Sequence, residues 1–252
     1  MNVINNKNNT AYMMKSLAIF SLLSALTLQA NAQDALSRAG KLSVIPQVGV
    51  SLAKFSENTL FYINGSQSAA IDDRFKAGFL AGAELMYNTS DQLAFTLGCF
   101  YVQAGNHYLD HEEGGAKGGQ GVTSNNVTIG QISVPLMLNY YVVPGVAVKG
   151  GVELNFNTSA TWKYSYSDYT VDDAGVRTYQ PPVDVKQNDL HAKSVTVSIP
   201  LGLSIEYENV VLDARYHVPL TKAFKHDDPI SSSWGDAKNM LVTVTAGYRF
   251  EL

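Results

Sequence analysis

Apolar and polar side chains alternate along Met240-Leu-Val-Thr-Val-Thr-Ala-Gly-Tyr-Arg-Phe250, with Glu251-Leu252 following. Period two sends successive residues to opposite faces of a strand, so Val242, Val244, Ala246, Tyr248 and Phe250 share one face. Thr243, Thr245, Gly247 and Arg249 occupy the other. A strand that is apolar on one side and polar on the other fits a wall between lipid and a polar lumen.

The same period recurs in seven earlier segments, near 42–55, 75–88, 93–108, 127–143, 146–164, 191–208 and 210–219. In the fifth, Val146, Val148, Val152, Leu154 and Phe156 oppose Lys149, Glu153, Asn155 and Asn157; in the seventh, Leu212, Ala214 and Tyr216 oppose Asp213, Arg215 and His217. Segments of ten or more residues are long for soluble strands and right for tilted spanning ones. Short links (89–92, 144–145, 208–209) alternate with long polar ones (56–74, 109–126, 165–190, 220–238), as periplasmic turns alternate with external loops. The predicted fold is all-β: an eight-stranded antiparallel up-and-down transmembrane β-barrel. Tyr87, Tyr140, Tyr141, Tyr207, Tyr248 and Phe250 fall toward the turn side, and Tyr101, Tyr108, Trp162, Tyr164 and Tyr216 toward the loop side, which predicts two aromatic girdles. Pro135 and Pro200 lie mid-strand, where a missing donor predicts a bulge or bend.

Ahead of the strands, Lys15, an apolar run from Leu17 to Leu28 and Ala30-Asn31-Ala32 have the layout of a secretory signal peptide cut after Ala32. The apolar core is short of the ~20 residues a spanning helix needs. The domains expected are therefore residues 1–32, an N-terminal extension with its signal peptide, and residues 33–252, the barrel. The Asn-rich residues 1–12 lack a signal's layout, so Met13 or Met14 is an alternative start. The one cysteine, Cys99, shares the outward phase of the third strand with Phe95 and Leu97; it reads as a small hydrophobe, with neither a lipid anchor nor an internal disulfide to expect. A net charge of −4, with both signs scattered, gives no nucleic-acid surface.

Four pieces, Ile132-Ser-Val-Pro-Leu-Met-Leu-Asn-Tyr-Tyr141, Val148-Lys-Gly-Gly-Val-Glu153, Val211-Leu-Asp-Ala-Arg-Tyr-His-Val-Pro-Leu-Thr221 and Ala246-Gly-Tyr-Arg-Phe250, together resemble the PorT-like outer-membrane β-barrel domains of Bacteroidetes-type Gram-negative bacteria. The resemblance spans most of residues 33–252 and implies an integral barrel of the cell outer membrane. It also implies export through the Sec pathway and insertion by the barrel-assembly machinery, with outer-membrane lipid and lipopolysaccharide as surroundings. Some members of that family serve protein secretion. The Glu251-Leu252 tail departs from its pattern, which usually stops at the aromatic.

Eight strands enclose a lumen that side chains can fill. Its phase carries Glu84, Lys149, Glu153, Glu206, Asp213, Arg215 and Arg249, which read as a structural network because charges in so narrow a space must be paired. A proton or ion path is the functional alternative. No enzyme, cofactor or metal is expected. His217, inward and four residues after Asp213, is the one histidine with a clear strand phase, and no nucleophile can be matched to it; His191 and His226 fall in or beside loops. His107, His111 and Glu112 hint at a metal, yet they lie in a glycine-rich stretch whose Gly114–Gly121 run reads as a flexible loop rather than a phosphate loop. Asp72-Asp73, Asp172-Asp173 and Asp227-Asp228 read as turn chemistry or as divalent-cation bridges to lipopolysaccharide. Trp162–Tyr169 reads as a ligand-contacting surface or as the protruding end of the fifth strand. The functional classes left open are a structural or surface-interaction barrel, with a surface protein as partner, an accessory of a secretion system, and a lipid-modifying enzyme. A soluble lipocalin-like binder is the rival on fold.

Overall fold

The computed structural model describes residues 38–56, 60–64, 67–188, 190–225 and 234–252. The signal peptide, His226 and Asp227-Asp228 lie outside them. Eight strands follow in order: β1 (Leu42–Phe55), β2 (Lys76–Asn88), β3 (Leu93–Tyr108), β4 (Gly118–Val143), β5 (Val146–Val171), β6 (Val195–Tyr207), β7 (Val210–Pro219) and β8 (Asn239–Tyr248). Each pairs antiparallel with the next. β8 returns to β1, with Val50 opposite Val244, and closes the ring. Closure leaves no sheet edge along the wall.

The alternation read from the sequence is the wall itself. Val48, Phe79, Leu97, Leu136, Val152, Leu203, Leu212 and Val244, one from each strand, are exposed on the outer face. Their neighbours Gln47, Glu84, Thr96, Ser133, Glu153, Ser204, Asp213 and Thr245 are buried inside. This inverts a soluble protein, because the apolar side is the one without protein to cover it. Cys99 is exposed on that outer face, as its phase requires.

Both prolines keep the ladder in step, so neither marks a bulge. Pro135 stays opposite Glu153 on β5, while the β3 ladder lapses between Leu97↔Leu136 and Phe100↔Ser133 and resumes in the same register. Pro200 stays opposite His217, and the β5 ladder lapses in step between Ser198↔Glu153 and Leu201↔Gly150. Each ring removes one donor on one side only, which costs pairing there without inserting a residue. The shifts lie elsewhere on β4, between Thr123 and Asn126, Gly130 and Gln131, and Tyr141 and Val143.

The two residues after Phe250 extend the closing seam. Val44 pairs with Phe250 and Ser43 with Glu251, the Leu252 amide donates to the Leu42 carbonyl at 2.9 Å, and Lys41 Nζ meets Glu251 Oε2 at 2.8 Å.

The long links hold more order than their polarity conveys. β4 begins nine residues earlier than its alternation, and β5 runs on to Val171. The stretch expected to be a flexible glycine loop is a hairpin in which His111–Gly115 pairs with β4, Gly114 lying opposite Gly119. A Cβ on Gly119 would come 2.0 Å from the Glu113 carbonyl, so the glycines there allow the two backbones to approach. Arg177–Tyr179 and Val183–Asn188 both pair with the upper part of β5, and Phe61–Asn64 pairs with Gln67–Ala70. A sheet thus continues beyond the long-loop end.

Candidate functional site: the filled interior

Three polar tiers and two apolar clusters stack inside the barrel. At the middle, Arg215 Nη2 meets Glu84 Oε1 at 2.6 Å and its Nε meets Asp213 Oδ1 at 2.6 Å. Lys149 Nζ lies 2.5 Å from Asp213 Oδ2 and 3.5 Å from Glu84 Oε2. β2 and β5 each send one alternate position to this depth and β7 sends two, Asp213 and Arg215, which brings two acids and two bases together. Gln47 completes the tier: its amide donates to Glu84 Oε2 at 3.0 Å and accepts from the Thr245 hydroxyl at 2.8 Å. The fit depends on missing side chains, since a Cβ on Gly202 would lie 3.0 Å from Arg215 Cγ and one on Gly98 3.3 Å from Glu84 Cγ. Phe100 underlies the Arg215 guanidinium at 5.8 Å.

Toward the turn end, Arg249 Nη2 bonds Glu206 Oε2 at 3.1 Å and the Tyr141 hydroxyl at 2.8 Å. Ile45, Met86, Ala94, Tyr141, Ala147 and Val211 pack into a buried cluster around this pair. Tyr141 therefore belongs to the interior and not to the girdle, because it continues the buried phase of Ser133, Met137 and Asn139 on β4. Tyr87, Tyr140, Tyr207, Tyr248 and Phe250 do stand exposed on the outer face.

Above the middle tier lies the third. Glu153 Oε1 accepts from the Ser198 hydroxyl at 3.0 Å and sits 3.1 Å from His217 Nδ1, while His217 Nε2 is 3.0 Å from Thr243 Oγ1. Asn155, Gln131 and Ser133 continue the chain of bonds. Acid, imidazole and hydroxyl in line are the order of a hydrolase triad. Here the hydroxyl is buried, and the cavity beside Glu153, Ser198 and His217 holds about 20 Å³, room for a single water.

The long-loop end is closed by apolar side chains from the long polar links and from the expected loop-side girdle. Leu60, Ile71, Leu190, Ala223, Phe224, Trp234 and Ala237 fold against Phe55, Phe100, Val127, Ile129 and Leu241 from the wall. Trp234 stacks on Phe224 at 5.0 Å, meets Trp162 edge-on at 5.3 Å, and donates to the Tyr108 hydroxyl at 2.9 Å. Tyr108 and Trp162 thus point inward; of the loop-side aromatics expected in a girdle, Tyr216 stands exposed on the outer face.

The seven charged residues expected in the lumen divide among these tiers: Glu84, Lys149, Asp213 and Arg215 form one group, Glu206 and Arg249 a second, and Glu153 bonds to His217. Sequence reasoning missed Gln47, which carries no charge and sits on β1 beside Pro46, where alternation is weakest; alternation does place Thr245 on the inward face, without naming its partner. The suspected metal residues have separate partners. His107 Nδ1 bonds Asn126 Oδ1 at 2.9 Å, His111 Nδ1 bonds the Leu109 carbonyl, and Glu112 bonds Arg177 and the Tyr179 hydroxyl. Those last two hold the Glu112 carboxyl below its ordinary range. Among the described residues no group of His, Cys, Asp and Glu fits a metal ion. Asp172 caps its own turn by accepting the amides of Ala174 and Val176, and Asp73 pairs with Lys54 at 3.0 Å.

Residues 31–225 match the model of a family described as outer membrane protein beta-barrel domain. Among solved structures the chain is similar to Ail, the attachment invasion locus protein of Yersinia pestis, at 14% identity over 84% of this chain and 99% of that one, TM-score 0.40. Neisserial surface protein A follows at 15% identity over 83% and 97%, TM-score 0.38. OprG from Pseudomonas aeruginosa is 12% identical over 84% and 98%, TM-score 0.29. None of these likenesses bears on function. No curated protein matches the chain.

Proposed function

The chain belongs to the outer membrane protein beta-barrel domain family, and from that premise we propose that this integral outer-membrane protein acts through its external face while its interior is structural. The observation that carries this reading is the pairing of the interior charges with one another between two apolar clusters. A conduit needs polar groups that face a continuous water column, and the buried ions here are spent on one another, Arg215 with Asp213 within β7 and the other pairs between strands. We read the long-loop end, with its continued sheet, as external, and the short turns as periplasmic.

Catalysis has little room in this arrangement. The Glu153–His217–Thr243 line faces inward, beside space for one water, and lipid meets the opposite face of the same strands. The finer PorT-like kinship rests on the four sequence pieces quoted above, and through it a secretion partner at the external sheet is one form the surface role takes. Cross-linking on intact cells, read by mass spectrometry, tests the reading. Cross-links to other molecules should map to 111–122 and 162–188; cross-links confined to the short turns would overturn it. Lipid A and phospholipid profiles should be the same with and without the protein, and an altered acylation pattern would restore the enzyme.

A further inference from the structure

Register brings four basic side chains into one line across the outer face. Arg74 lies opposite His107 on β3, His107 opposite Asn126 on β4, Asn126 opposite Lys163 on β5, and Lys163 opposite Lys186 in the Val183–Asn188 strand. Directly opposed residues share a face, with Cβ atoms about 5 Å apart. This face is the outward one, because the next residues, Tyr108, Val127 and Trp162, turn inward to the apolar cluster. The row crosses five strands and spans about 19 Å at ~4.8 Å per strand.

Arg74, Lys163 and Lys186 are exposed, and no ion pair joins any of them to a described residue. The nearest acid on that face in the same strand, Asp184, is engaged by the Ser165 hydroxyl at 2.6 Å. Two lysines directly opposed on neighbouring strands repel, so the sheet holds an arrangement that the protein alone does not reward. An anion laid along the row removes that cost.

Position says which anion. Going up the wall, the outward apolar phase ends at Tyr101, Ile132 and Phe156. Next come the uncharged polar residues Gln103, Thr128, Thr161 and Asn188, the last three also cross-strand partners in one line. The basic row lies beyond them. Apolar belt, hydroxyl and amide zone, then cations is the order in which an outer-leaflet glycolipid presents acyl chains, sugars and the phosphates of its core.

We propose that the row Arg74, His107, Lys163 and Lys186 is a binding site for the anionic head region of the outer-leaflet glycolipid, lipopolysaccharide. Asn126 holds His107 in place, and the Gln103–Thr128–Thr161 zone meets the sugars. The site rests on the outward, external placement of the long-loop end.

The test uses the purified full-length barrel in nanodiscs, titrated with lipopolysaccharide and with the same glycolipid after phosphatase treatment. The native protein should bind the phosphorylated form at least tenfold more tightly. Lys163→Gln with Lys186→Gln should abolish that difference while the heat-modifiable gel migration of the folded barrel stays unchanged. Equal affinity for the two glycolipids, or a difference that survives the double substitution, overturns the site. Tighter binding of soluble heparin than of glycolipid overturns it too, and would assign the row to a free polyanion. Lys163→Cys in a Cys99→Ala background separates the two levels of argument: labelling of intact cells by an impermeant maleimide without phosphate discrimination defeats this site alone. Failure to label defeats the external placement beneath it.

Discussion

Arg215 carries more of the interior than any other single side chain. It pairs with Glu84 and Asp213, lies over Phe100 and occupies the space left by Gly202. Removing one partner of a buried pair leaves the others charged and unpaired, which costs about 3–5 kcal/mol. Arg215→Ala should therefore lower the urea midpoint of the barrel by that equivalent, read as loss of the heat-modifiable band. An unchanged midpoint would mean that the network is dispensable. At this scale the sequence was legible wherever charge marked phase: all seven charged positions face inward. What remained hidden was partnership, since no spacing rule joins β2 to β7, and uncharged Gln47 gave no signal.

The elements at the long-loop end are fastened by aromatic packing rather than by charge. Trp234 stacks on Phe224 and is held to the wall by Trp162 and Tyr108. Trp234→Ala should cost about 3–5 kcal/mol of local packing, the range for truncating a buried aromatic. The expected reading is faster proteolysis near Lys222 and Lys238 in a barrel that still migrates as folded, whereas native-like protease resistance would contradict the fastening. Strand existence and phase were legible because lipid on one side and a filled lumen on the other impose strict alternation. The strands beyond the membrane were not, because past the apolar belt no lipid imposes alternation: the Gly114–Gly121 run is mostly glycine, and the upper part of β5 alternates tyrosine with serine, with Tyr169 buried. The prolines misled for a related reason: a lost donor on one flank, with the other flank paired, leaves the register intact.

For the whole molecule, closure makes the charged interior tolerable and the charged interior makes closure specific. Each tier joins strands far apart in sequence, Glu84 to Arg215 and Glu206 to Arg249, so the ring is stitched across as well as along its wall. Apolar clusters at both ends keep those pairs from bulk water. Fold class and location could be read from alternation and link lengths, whereas the sealing of the long-loop end could not, because Leu60, Ile71, Phe224 and Trp234 lie in links whose few apolar residues follow no strand-long alternation. The most direct measurement is the conductance of the purified barrel reconstituted in a planar lipid bilayer. A filled interior predicts no resolved channel steps under applied voltage, and steady ion-selective steps from the folded protein would contradict the account.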